Sequence, residues 1–262
     1  MISWRDFLFE QNEALVALML FALVLVATEI GFRRGRAVGP SLLEAGKSQL
    51  STLQGALMGL LALLLGFSFA LVESRFETRR HLLVAESNAI GTAYLRSQML
   101  AEPYRTEVAK LLREYVDARL EFFQAGIDEA RVKGAIVETE SVQRQLWLQA
   151  LAVTEKDPRP VPTGLFIAPL NDVIDLHAER DAARQNRVPE IVLWLLVIAA
   201  IGSMGLAGYG GGVGNRRNLA HTITVSMIIS LVILVTMDLD RPTGGLIKIS
   251  QQSMIALRQT LE

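Results

Sequence analysis

The sequence predicts an all-α membrane protein with four transmembrane helices per subunit and a helical soluble bundle inserted between the second and third spans. Three observations lead there. Of 262 residues, 51% are hydrophobic and only 20% charged, and the mean hydropathy is positive, a balance that leans toward membrane. Residues 14–28, with Glu29 at their margin, and residues 55–72, 191–208 and 223–237 carry almost no charge. Each stretch is close to the roughly 20 residues that a helix needs to cross about 30 Å of hydrocarbon, the first and last with help from their flanks. The region from Arg75 to Arg187 is rich in helix formers and almost free of strand-like alternation. The chain therefore divides into residues 1–74 (spans one and two), 75–187 (helical soluble domain), 188–240 (spans three and four) and 241–262 (a soluble tail).

The first span is preceded by Asp6, Glu10 and Glu13 with only Arg5 positive, and is followed by Arg33, Arg34 and Arg36. That is the wrong charge order for a secretion signal, so it reads as a span. The second runs through "LLGFSFALVESRFETRR", residues 64–80, from lipid into water with no glycine or proline after Gly66. Apolar residues Val72, Phe76, Leu83, Ile90 and Leu95 recur at helical intervals, predicting one helix continuing to about Leu100, a rod on the order of 65 Å long. Pro103 suits the first turn of the next helix, whose apolar stripe is Val108, Leu111, Leu112, Tyr115, Val116, Leu120 and Phe123. A further helix covers about Asp128 to Lys156. "DPRPVPTG", residues 157–164, has three prolines in alternate positions and predicts an extended connector. Helix then returns and enters the third span, with Pro189 at the join. "GYGGGVGNRRN", residues 208–218, lacks the order of a phosphate-binding loop and has no strand before it, so it reads as a short flexible turn between spans three and four.

Orientation rests on basic residues near the membrane ends. Arg33, Arg34, Arg36, Lys47, Arg216 and Arg217 lie on one side. Arg5, Arg75, Arg79, Arg80, Arg180, Arg184, Arg187, Arg241 and Lys248 lie on the other, which favours a cytoplasmic helical domain. The flanks of the first span alone point the opposite way.

Several function classes lack support. Zero cysteines remove disulfides, thiolate metal sites and thiol nucleophiles. A formal net charge of -1 argues against a nucleic-acid partner. No nucleophile elbow, nucleotide fingerprint or paired carboxylates in a cleft point to an enzyme, and no cofactor is implied. His81 and His177 flank the soluble domain with Glu86, Asp172, Asp175 and Glu179 as potential oxygen ligands, but no metal-binding spacing joins them; a solvated or hydrogen-bonded histidine is the simpler reading, and equally so for His221. "DLDRP", from Asp238 through Asp240 and Arg241 to Pro242, is either a salt-bridged helix end or a cation site with two carboxylates.

In the second span the small residues Gly55, Gly59, Ala62, Gly66 and Ala70 form one smooth stripe beside Leu63 and Phe67. The stripe suits helix packing within one subunit. The alternative is that several copies of the helix surround an axis, which would make Leu63 and Phe67 a hydrophobic constriction that gates by dewetting.

The segments "LGFSFALVESRF", "AESNAIGTAYLR", "NDVIDLHAERDAARQNRVP" and "DLDRPTGGLIKISQQ" resemble the bestrophin-like domain family of bacterial membrane proteins over most of the chain. That family has a remoter likeness to bestrophins, which are pentameric anion channels with four membrane helices per subunit and a helical cytosolic domain. Leu65, Gly66, Phe67 and Arg75 stand where bestrophins carry "LGF" and a following arginine on the pore-lining helix. The resemblance implies a neck at Gly59, Leu63 and Phe67, with Gly59 departing from the bulky residue expected. No acidic run follows the fourth span, so a bestrophin-type calcium clasp is not matched.

The resulting expectation is a homo-oligomeric, pentameric channel of the inner membrane that passes inorganic anions. The second helix lines its pore, and Arg75, Arg79 and Arg80 stand at the mouth. The rival is a membrane-anchored helical scaffold or interaction protein without conductance, which would expose an apolar groove in its soluble part. A transporter would want ionisable groups at mid-membrane depth, where this chain offers chiefly hydroxyls such as Ser68 and Ser203.

Overall fold

Among the described residues regular structure is helical alone; the first helix there, α1 (Glu13–Val38), leads through a 3-10 turn (Gly39–Ser41) into α2 (Glu44–Ser97). There follow α3 (Tyr104–Gln124), α4 (Glu129–Lys156), α5 (Pro160–Gln185), α6 (Glu190–Val213), α7 (Leu219–Asp240) and α8 (Gln252–Thr260). The computed structural model describes residues 13–41, 43–126, 128–156, 160–241 and 245–261. Four of these helices are long and apolar enough to cross a membrane: α1, α2, α6 within the run Val161–Val213, and α7. The chain is a multi-pass, all-α membrane protein.

The described residues form two compact units. One comprises residues 13–74 and Arg187–Arg241, the other Arg75–Asn186 and residues 245–261. Helix α2 is unbroken across the boundary at Ser74 and Arg75. Its 54 residues amount to about 81 Å of helical rise. The expected 65 Å fell short because the helix begins at Glu44, well before the apolar stretch.

In the first unit the core gathers Val16 and Val24 of α1, Leu61 of α2, Leu193, Ala200 and Met204 of α6, and Ile229, Ile233 and Met237 of α7. Helices α1 and α6 touch backbone to backbone. A methyl group on Gly31 would overlap the carbonyl oxygen of Gly205; on Gly35, that of Tyr209; on Gly208, that of Thr28; on Gly212, that of Phe32. In a bilayer, where apolar side chains gain nothing from leaving lipid, such close approach is what binds helices. The glycine run expected to form a turn is therefore helix as far as Val213. The actual turn covers residues 214–218. Asn215 there adopts φ 48°, a left-handed conformation that asparagine tolerates, and the Asn218 side chain accepts a hydrogen bond from the His221 backbone N–H at 3.1 Å, capping α7.

In the second unit the expected stripe of α3 forms the core. Val108, Leu111, Leu112, Tyr115 and Val116 pack with Ile90 of α2, Leu146 of α4, Phe166 and Leu170 of α5 and Met254 of α8. Of the α2 stripe, Leu83 and Ile90 are buried while Leu95 is exposed. The expected extended connector gives way to helix from Pro160 onward, and residues 157–159 lie outside the described residues. Prolines are compatible with a helix's first turn, where N–H groups have no partner within the helix. Pro169 lies deeper inside α5 and cannot donate to the Leu165 carbonyl. The Arg96 guanidinium donates to that oxygen instead, at 3.0 Å.

Candidate pore face and buried charge cluster

Helix α2 has two unlike faces within the first unit. One carries Leu61, Ser68 and Val72, all buried, and its Leu57 carbonyl accepts the Ser203 hydroxyl at 3.2 Å. The other carries Gly59, Leu63 and Phe67 in successive turns. Leu63 is 58% exposed and Phe67 72%, and among the described residues nothing lies within 4 Å of where a Cβ on Gly55, Gly59 or Gly66 would sit. Packing within the subunit, one of the two readings of the small-residue stripe, is thus not where these glycines are used. The glycines that do close a helix pair inside the unit are those of α1 and α6.

The three arginines after the span differ from one another. Arg80 is exposed and paired with Glu77 at 3.3 Å; Arg75 is half-buried; Arg79 is only 7% exposed and lines a cavity of the second unit. His81 pairs with the same Glu77 at 3.2 Å and is largely exposed, whereas His177 stands edge-on to the buried Tyr115, ring centroids 6.5 Å apart. The structure thus separates the two histidines in environment. Among the described residues no group of three or more His, Asp or Glu side chains is placed to hold a metal ion.

At the end of α7, Asp238 and Asp240 are buried. The Asp240 carboxylate accepts the Val188 backbone N–H at 3.0 and 3.3 Å from its two oxygens. The Arg241 N–H donates to the Asp238 carbonyl at 3.1 Å. The Asp240 contact joins the entry of α6 to the exit of α7, and the Asp238–Arg241 bond closes the end of α7. Pro242 lies outside the described residues.

The second unit holds a constellation that the sequence reading did not assemble. Glu86, with no exposed side-chain surface, accepts the Tyr115 hydroxyl at 2.6 Å and faces Arg119 at 3.1 Å. Its other oxygen accepts from the Arg180 guanidinium. Burial pushes the Glu86 carboxyl up, but Arg180, Arg119 and the Tyr115 hydroxyl outweigh it and hold the group below the usual carboxylate range. Tyr115 moves up, first through burial and then through the Glu86 charge. His177 moves down, through burial and then through Arg119, which favours the neutral imidazole. The signal was present in the spacing. Glu86 sits in phase with Leu83 and Ile90, and Arg119 with Leu112, Tyr115 and Val116, so the two stripes carry charges of opposite sign that can meet.

The Bestrophin-like domain family model matches residues 19–254. Solved structures agree in fold. The crystal structure of a bacterial bestrophin homologue from Klebsiella pneumoniae carrying a tryptophan-to-alanine mutation superposes with a TM-score of 0.70, at 16% identity, over 96% of this chain and 97% of that one. The structure of a bacterial bestrophin homologue from the same organism solved by Zn-SAD phasing gives a TM-score of 0.64, at 17% identity, over 95% and 97%. No curated protein matches in sequence. At these identities the solved structures speak for the fold alone. The family match covers most of the chain, and the chain belongs to the Bestrophin-like domain family.

Proposed function

We propose that the chain assembles with copies of itself, as a pentamer, into an anion-conducting channel of the cell inner membrane, with α2 lining the pore and the helical unit in the cytoplasm. The observation that carries the reading is the open face of α2. Lipid is served by any large apolar side chain, whereas glycines on a membrane helix favour the close approach of another helix. Among the described residues Gly55, Gly59 and Gly66 have nothing against them within the subunit, so this face suits copies of the same helix around an axis. In such a ring Leu63 and Phe67, exposed in one subunit, converge as an apolar constriction that closes by dewetting, and Gly59 leaves a wider step one turn away. Arg75 and Arg80 beyond the constriction raise the local concentration of anions. Arg79, turned into its own unit, adds its charge at longer range. Membership of the family and the shared fold support the same reading.

The test is chloride flux from liposomes holding the purified protein, together with its mass in solution. Phe67→Ala is expected to raise the flux severalfold by shortening the constriction. Silence of both proteins would overturn the proposal. The rival reading, a membrane-anchored scaffold, draws on the exposed Val137, Leu148 and Leu151 of α4, an apolar face suited to a partner. It predicts that silence.

A further inference from the structure

The second unit contains a cavity of about 410 Å³ whose walls include Arg79, Arg119, Arg180, Arg184, His177 and Phe122. Arg79 has a further interaction of its own; among the described residues the other charges on this wall do not balance. Arg119 and Arg180 share the single carboxylate of Glu86, Arg184 is answered by Asp181 at 2.7 Å, and Glu140 on the cavity wall faces Arg144 at 3.9 Å. Two guanidiniums on one carboxylate leave one positive charge, and Arg119 and Arg180, at 7% and 16% exposed, are poorly placed to give it to water. The guanidinium carbons of Arg119 and Arg184 lie 5.5 and 5.6 Å from the centre of the Phe122 ring, which orients their planar donor forks before any ligand arrives. Phe123, Ile136 and Ile249 supply apolar wall. The volume falls within the roughly 300–1,000 Å³ of small-molecule sites, more than a monatomic anion fills. The surplus positive charge of the Glu86 cluster suits a carboxylate, and the apolar wall suits a carbon body.

We infer that this cavity binds a small organic monocarboxylate, its carboxylate on the arginine wall and a compact apolar body against Phe123, Ile136 and Ile249. A guanidinium fork accepts a carboxylate through two parallel hydrogen bonds. Binding is measured without reference to conductance, so this inference and the channel proposal fail separately.

The experiment titrates the full-length protein in detergent with benzoate, by calorimetry and by thermal shift. Acetate, which lacks the body, benzamide, which lacks the charge, and inorganic phosphate are titrated alongside. Benzoate is expected to saturate one site per subunit and to raise the melting temperature, with each comparator at least tenfold weaker. Arg184→Gln, which leaves the Glu86 cluster intact, and Ile136→Ser, which changes only the apolar wall, are each expected to weaken benzoate at least tenfold while the ligand-free protein elutes and melts like the parent. Should Arg184→Gln fold poorly, Ile136→Ser decides. The inference is overturned if benzoate does not saturate at millimolar concentration, if well-folded variants bind it unchanged, or if phosphate binds as tightly as benzoate.

Discussion

The two units are held together by different means. In the first, α1 and α6 meet through Gly31, Gly35, Gly208 and Gly212, each lodged against a backbone oxygen of the other helix, and the side chains around them are mostly aliphatic. In the second, an aliphatic and aromatic core surrounds a carboxylate held by two guanidiniums and a phenol. The difference follows from solvent. Water rewards burial of large side chains, so the second unit has driving force to spare and can bury a charge cluster. Lipid gives no such reward, and only backbone proximity and shape separate a packed pair from two helices apart.

The largest effect is expected where the second unit is broken at its charge. Glu86→Ala leaves Arg119 and Arg180 buried beside each other without their carboxylate, and removing one partner of a buried ion pair typically costs about 3–5 kcal/mol. Thermal unfolding of the purified protein, followed by site-resolved hydrogen exchange, should show lost protection in α3 and α5 before α1 and α6. A variant as stable as the parent would mean that the cluster is not structural.

The first unit should break at a methyl group. Gly208→Ala places a carbon into the Thr28 carbonyl, and overpacking of this kind costs typically about 1–3 kcal/mol. Gly55→Ala adds the same methyl group to the same kind of helix in open space, where alanine is the better helix former by roughly 0.8–1.0 kcal/mol. Yield of folded protein should therefore fall for Gly208→Ala and hold for Gly55→Ala, whose methyl group is expected to disturb only the contact between copies and so to broaden the oligomer peak in size-exclusion chromatography. An unchanged oligomer for Gly55→Ala would mean that no neighbouring copy lies against that face.

The four apolar spans, the helices between the second and third of them and the α3 stripe were legible in sequence because hydropathy and helical phase are local properties of the chain. The misreadings concern residues whose local preference is overruled by surroundings. Glycines 208 to 212 favour turns in water, but between membrane helices the missing side chain is what permits contact. Pro160 and Pro162 break a helix interior, but they stand in a first turn. On α2, spacing placed Leu63 and Phe67 beside the small-residue stripe, and the family resemblance added Gly59 to their row; that Leu61, Ser68 and Val72 are the covered side needed the other helices. The Glu86 cluster escaped because Tyr115, Arg119 and Arg180 reach it from two further helices, a closure that no pattern along one helix records.

The smallest effect comes from protons, and it bears on the second unit through His177. Its folded-state value lies below that of an ordinary histidine, so the unfolded chain takes up a proton first as pH falls. The stability held by the neutral ring is present above about 6.5, the value for a free histidine, and is lost progressively below it as pH approaches the folded value. Glu86 has the same sign at lower pH: its folded value is depressed, so its contribution is present above about 4.3, an ordinary glutamate's value, and is lost as pH falls through the folded one. Acidification from pH 7.5 to 5.5 should therefore lower protection in α3 and α5 by less than Glu86→Ala does, and His177→Asn should flatten that dependence while leaving the steeper loss at more acid pH in place. A variant whose acid response matches the parent throughout would assign the upper phase to another group.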